Sequence, residues 1–265
     1  VKFYAYKKAF LFMTESTLFI GQILHEFDTL NSTNTYAAEL IAESTVKEGT
    51  VIVAHAQPEG RGQRGAGWES EANQNITTSI VLRPSFLAID QQFNLNMAIS
   101  LGVTDYLKSI LKNESIKIKW PNDIYINDKK IAGILIENTL KGSLIGYSII
   151  GIGLNVNQTE FISDAPNPVS LKMITGSYFT IKDSLLQLYK FIEVRYLQLR
   201  TNNTEKLKID YLERLYRFEE WHNYIVNEKL MTARITGINE QGRLQTEDSL
   251  GNSNLWDLKE IKFVI

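Results

Sequence analysis

The sequence predicts an α+β protein: one mixed sheet with flanking helices, and a small all-β module after it. Three observations carry this. Short runs of alternating apolar and polar residues are joined by tight turns, the mark of antiparallel hairpins, as where Asn127-Asp128 links DIYIN (123–127) to KIAGILIE (130–137). Helical periodicity falls between groups of such runs instead of alternating with them one for one, which argues against a doubly wound parallel sheet. After about residue 219 the texture changes to short alternating stretches, such as KLMTARI and GRLQTED, separated by Asn and Gly turns.

In chain order, residues 1–13 read as an N-terminal extension. The apolar run in VKFYAYKKAFLF is short for a signal peptide and no small-residue cleavage site follows, so an upstream start or a poorly ordered extension is expected. Residues 14–24 predict a short helix and FDTLNSTN (27–34) a turn. Ser32 or Thr33 then caps a helix running through 45, with Ala37, Ala38, Leu40 and Ile41 on its apolar face. TVIVAHA (50–56) and ITTSIVL (76–82) read as buried strands. From 91 to 112, Phe93, Met97, Leu101, Leu107 and Leu111 recur near helical spacing. IKIKW (116–120) alternates as a strand, the hairpin follows, and SLIGYSIIGIGLNVN (143–157) is a further long strand. Helices are predicted over 181–200 and 204–217. The main unit is therefore 14–218 and the β module 219–265, which is too small to hold much core alone and is expected to pack on the main unit.

Composition narrows the function. The 265 residues, 44% hydrophobic, suffice for one sizeable core. A net charge of −2 gives no global attraction to nucleic acid or anionic membrane, and no apolar run is long enough to span a bilayer. Absence of cysteine excludes disulfides and thiolate metal sites and fits a reducing, cytoplasmic setting. His25, His55 and His222 are too scattered to suggest a metal cluster.

GRGQRGAGW (60–68) contains the letters of the dinucleotide fingerprint, but the polar stretch after it feeds another strand where that motif needs a helix. Gly65 is followed by Ala66-Gly67, which excludes a P-loop. Two readings remain: a solvated loop with surface arginines, or an anion cradle in which glycine backbone approaches a ligand, Arg61 and Arg64 contact phosphate or carboxylate, and Trp68 stacks on a planar base. In KWPNDIY (119–125), Asn122 and Asp123 either stabilise a turn through Asx hydrogen bonds or Asp123 binds Mg²⁺ beside a triphosphate. Lys130 is a solvated edge charge or a site lysine, Gly133 within a strand marks a close approach by ligand or backbone, and Asn155 ends a strand or pairs with an adenine edge.

Taken together, STN (32–34), Gln57 just ahead of GRGQRGAGW, KWPND, KIAGILIE and GIGLNVN (151–157) resemble, in order and approximate spacing, the motifs of biotin protein ligases. The resemblance covers about residues 25–157 by motif, and the C-terminal module is similar to that family's SH3-like cap. It implies the class II aminoacyl-tRNA synthetase-like catalytic fold of that family. It also implies ATP-dependent formation of biotinyl-5′-AMP, then transfer of biotin to a lysine of a biotin carboxyl carrier domain. By motif position Ser32, Thr33, Asn34, Gln57, Arg61, Gly62, Gln63, Lys130 and Gly133 would hold biotin. Gly60, Arg64, Trp68, Asn122 and Asn155 would hold ATP or the adenylate, Asp123 would hold Mg²⁺, and Lys130, Arg61 and Arg64 would be catalytic. The family often carries Arg where this chain has Gln63, which shifts adenylate retention toward Arg61 and Arg64. Too few residues precede the resemblance for a winged helix, so a DNA-binding role is not expected. Lipoate–protein ligase and a non-catalytic biotin-binding protein are the alternatives. An exposed sheet edge could pair two subunits as a homodimer or dock the carrier by strand addition.

Overall fold

The computed structural model describes residues 17–62, 67–163, 167–201 and 203–264, together with the backbone of 6–11. Eight strands form the main sheet: β1 (Tyr6–Leu11), β2 (Ile23–Thr29), β3 (Val51–Ala56), β4 (Ile76–Leu82), β5 (Ile116–Lys119), β6 (Asp123–Ile126), β7 (Lys129–Lys141) and β8 (Leu144–Leu154). Their spatial order is β1-β2-β3-β4-β8-β7-β6-β5, with β2 and β3 parallel and every other neighbouring pair antiparallel. The mixed sheet predicted from the hairpins is thus observed.

Side-chain alternation along β4 divides the interior. Ile76, Ile80 and Leu82 join the larger core with helices α2 (Gln92–Ile110) and α4 (Ile181–Arg200). On the opposite face Val81 joins Phe27, Ile52 and Ala54 under helix α1 (Thr33–Glu43). Thr77 and Ser79 share that second face, which makes it locally polar. Helix α5 (Thr204–Glu213) is tied to α2 and α4 by Arg195, which bonds Asp105 and Asp210 at 2.6 Å each, while Arg214 holds the other oxygen of Asp105 at 2.6 Å.

A second, fully antiparallel sheet follows: β9 (Trp221–Val226), β10 (Lys229–Ile238), β11 (Leu244–Asp248), β12 (Ser253–Trp256) and β13 (Ile261–Phe263). Its Tyr224, Ala233, Ile235 and Ile261 belong to the same core as α2 and α4. The join is close: Trp120 Nε1 donates to Gly242 O at 2.9 Å, and a Cβ on Gly242 would lie 2.3 Å from the Phe93 ring.

Two local expectations are corrected. Residues 17–22 form turns, and Ile23–Thr29 is a strand where a helix and a turn were expected; residues 14–16 lie outside the described residues. Only Phe27 of β2 is fully buried, so its polar sequence carries no strand pattern and pairing with β3 decides its form. The turn before it is fixed by buried Glu193, which accepts Leu18, Phe19 and Ile20 N–H at 2.5–2.9 Å. Second, a short helix α3 (Leu171–Thr175), capped by Ser170 and ended by left-handed Gly176, was not foreseen. Residues 6–11 form an edge strand on β2.

Candidate active site

A cavity of about 350 Å³ opens between α1, the Gly60–Trp68 loop, the middle of the main sheet and strand β13. That is the size range of small-molecule sites. Its two ends differ in chemistry.

At one end the N-terminus of α1 meets β4. Ser32 is the N-cap, accepting Thr35 N–H at 3.4 Å, so its own proton remains to donate. Gln57, just past β3, accepts Thr33 N–H through Oε1 at 2.7 Å. That orients its amide, leaving Nε2 as a donor, 3.3 Å from where a Cβ on Gly60 would sit. Thr33 and Asn34 are buried, and Ser79 Oγ lies 2.7 Å from Thr33 Oγ1 and 2.6 Å from Asn34 Oδ1. Asn34 Nδ2 donates to Glu137 on β7 at 2.6 Å. Gly151 leaves room for this arrangement, since its Cβ would meet Asn34 Oδ1 at 2.4 Å. This end is polar and neutral at its surface.

At the other end, Lys119, Lys130 and Lys262 line the cavity with one carboxylate, Asp123, while Arg61 lines it beside α1, its guanidinium on Thr35. Lys130 Nζ lies 2.8 Å from Asp123 Oδ1 and 5.8 Å from the centre of the Trp68 ring. Strand pairing sets Asp123 opposite Gly133, whose missing side chain admits Trp68, Lys130 and Asp123 within 3.2–3.6 Å of the Cβ position. Gly133 therefore serves a close approach within the protein. Trp68 also lies over Gly153, where a Cβ would come within 2.2 Å of the indole, and its Nε1 is buried without a hydrogen-bond partner among the described residues. Lys119 stacks over the rings of Tyr125 and Phe263, and burial lowers its pKa, with Asp123 opposing and Lys130 and Arg217 adding to the shift. A desolvated ammonium gains from an arriving anion.

The glycine loop folds back on itself: Trp68 N–H bonds Gly60 O at 2.8 Å and Arg61 bridges to Gly67, while Arg61 donates to Thr35 Oγ1 at 2.7 Å. No helix opens in its described residues, as the sequence predicted. Gly62 lines the cavity, whereas Gln63 and Arg64 lie outside the described residues. Asn122 lines the cavity and its amide bonds Ile134 O, pinning the KWPND turn to β7. Asn155 stands apart from the cavity lining: it is buried and donates to Val169 O at 3.1 Å, fastening the segment before α3.

Among the described residues no cluster of three His, Cys, Asp or Glu could hold a metal. A lone carboxylate does fit Mg²⁺ that takes most of its ligands from phosphate and water. Sequence reasoning missed Ser79, Lys119, Lys262 and Phe263. Lys119 opens the KWPND motif and was legible there; Lys262 and Phe263 reach the cavity from the second sheet and carry no local signal.

Residues 26–155 match the model of the biotin/lipoate A/B protein ligase family. The bifunctional ligase/repressor BirA of Bacillus subtilis is 32% identical over 195 residues, covering 72% of this chain and 58% of that protein. The chain thus spans little more than half the length of that relative. The biotin–[acetyl-CoA-carboxylase] ligase of Mycobacterium tuberculosis is 29% identical, covering 73% of this chain and 72% of its own length. Among solved structures, the biotin protein ligase of Aquifex aeolicus in complex with biotin and ATP superposes with TM-score 0.75 and 26% identity, covering 91% of this chain and 98% of that one. Among the described residues, no helix is long and apolar enough to cross a membrane.

Proposed function

Because the chain belongs to the biotin/lipoate A/B protein ligase family, we propose that it is an ATP-dependent biotin ligase acting on a biotin carboxyl carrier domain. The observation that carries the reading is the two-ended cavity: neutral donors and an acceptor at Ser32, Thr33 and Gln57, three lysines at the far end, and Arg61 lining the cavity beside α1. A cyclic urea presents one carbonyl between two N–H groups and suits the first end; a triphosphate and a carboxylate suit the second.

In the first step a biotin carboxylate oxygen attacks the α-phosphorus of ATP. The bond from that phosphorus to the bridging oxygen breaks and pyrophosphate leaves. The carboxylate is already ionised at neutral pH, so no general base is required. The obstacle is repulsion between anions, which Arg61, Lys119, Lys130 and Lys262 reduce by electrostatic stabilisation of charge that grows on the phosphate. Lys130 exchanges its Asp123 partner for the reacting group. Asp123 and the phosphates would hold Mg²⁺, which supplies further charge neutralisation. Trp68 and the glycine loop cover the adenylate and exclude water from the mixed anhydride. In the second step a carrier lysine ε-amine attacks the acyl carbon, AMP leaves, and the amine loses a proton as the amide forms. Arg64 and Gln63 extend the loop's part in retention, and the adenine lies on the Trp68 side. A cytoplasmic setting, with ATP at hand, fits the chain's lack of cysteine.

Pyrophosphate exchange into ATP, run with biotin and with lipoate in parallel and followed by transfer to a purified carrier domain, tests the proposal. Exchange with biotin and label on the carrier lysine are expected. Exchange with lipoate alone, or biotin binding without exchange, contradicts it.

A further inference from the structure

Tyr211 reaches the KWPND turn from behind, and we propose that it is a positioning residue for the cationic end: by holding the Pro121 carbonyl it sets where Lys119 and Asp123 stand, and so governs affinity for ATP but not for biotin. This rests on reading the cavity as the site of an ATP-dependent biotin ligase.

The turn joins β5 to β6, and strand register places Lys119 directly opposite Asp123 at its base. Both line the cavity, so a small tilt of the three residues between them moves two charges of opposite sign. Pro121 has no N–H and gives the turn no internal bond there. The turn is tied from outside instead. The Asn122 amide bonds Ile134 O, Trp120 Nε1 donates to Gly242 O at 2.9 Å, and the Tyr211 hydroxyl donates to Pro121 O at 2.9 Å. The stretch just after Tyr211 also holds the incoming leg. Ile118 N–H donates to Arg214 O at 2.7 Å and Tyr216 N–H to Ile118 O at 2.9 Å, one residue before Lys119.

Tyr211 is itself firmly placed. It follows Asp210, which Arg195 and Lys206 hold at 2.6 Å each, and its ring meets Phe93 of α2 edge-on with centroids 5.7 Å apart. Burial alone does not call for the bond to Pro121. Tyr125 and Tyr224 are comparably buried, yet their hydroxyls have no partner among the described residues. Burial also pushes the Tyr211 pKa up, so its hydroxyl remains a donor across the working pH range. Because a peptide unit is planar, fixing the Pro121 carbonyl fixes the plane that leads into Asn122 and Asp123. The neutral end is built on α1, β4 and Gln57 through bonds of its own.

The test is Tyr211→Phe in the full chain, which removes one oxygen and keeps the ring. It is read by pyrophosphate exchange and by calorimetric titration of a non-hydrolysable ATP analogue. The ATP KM and the analogue Kd should each rise about fivefold, the worth of one hydrogen bond, with the biotin KM held within about twofold. In a Lys119→Met background the same change should raise the ATP KM by no more than about twofold, because the cation it positions is gone. Tyr224→Phe, which removes a hydroxyl that has no partner, should leave both KM values unchanged. Unchanged ATP constants in Tyr211→Phe overturn the proposal. So does an equal rise in the biotin KM, an undiminished effect in the Lys119→Met background, or the same rise in Tyr224→Phe. If wild type shows no exchange with biotin, the ligase reading fails, and the analogue titration still decides Tyr211: a fivefold loss supports its role and an unchanged Kd overturns it.

Discussion

The neutral and cationic ends of the cavity solve opposite problems. At the neutral end every buried polar side chain has a partner before any ligand arrives: Gln57 holds Thr33 N–H, Ser79 contacts Thr33 and Asn34, and Glu137 holds Asn34. At the cationic end the groups wait. Trp68 Nε1 is buried with no partner among the described residues, Lys119 is desolvated to a lowered pKa, and Lys130 and Asp123 are held by each other. The first arrangement is preorganised and favours recognition by shape and donor pattern. The second holds an excess of positive charge, three lysines to one carboxylate, that an incoming anion relieves, and favours catalysis.

The division can be broken most sharply at Lys130. Lys130→Ala is expected to slow adenylate formation by about 10²–10³-fold, on the scale of losing one transition-state donor, while biotin affinity stays within about threefold. Single-turnover kinetics beside calorimetric biotin titration would show this; a parallel loss of biotin affinity would mean the ends are not separate. Lys119→Met should raise the ATP KM about tenfold through loss of one charged contact and leave the biotin KM unchanged, read from steady-state exchange. Thr33→Val sharpens the other side: a rise of about fivefold to tenfold in biotin KM with unchanged ATP KM. Smallest is Trp120→Phe, which removes the bond to Gly242 and should cost about 1 kcal/mol of stability, a fall of roughly 2–4 °C in melting temperature.

How much of this the sequence disclosed depends on where the information sits. Strands β3 and β4 were legible as short continuous buried runs, and strands β5 to β8 with helices α2 and α4 from alternation, a hairpin turn or helical spacing. Strand β2 was not, since HEFDT has one fully buried residue and takes its form from its neighbours. Site residues lying together in one motif, such as Lys130 and Gly133 or Ser32 to Asn34, were legible as candidates, and the fold gathers them on one cavity. Asn155 lay in such a motif too; it lies off the cavity lining, its amide nitrogen is engaged by Val169 O, and its Oδ1 is buried with no partner among the described residues. The contacts among Asn34, Ser79 and Glu137 join three distant segments, and no local pattern assigns them. One clue was present: three consecutive hydroxyl residues, Thr77 to Ser79, inside a wholly buried strand require partners.

A crystal structure with a non-hydrolysable biotinyl-adenylate analogue tests the two-ended cavity most directly. The account predicts a ureido ring within hydrogen-bond distance of Thr33 Oγ1 and Gln57 Nε2, and Lys130 Nζ moved from Asp123 to the group linking biotin to the nucleoside. A ureido ring seated among Lys119, Lys130 and Lys262, or a linking group out of reach of Lys130, would contradict it.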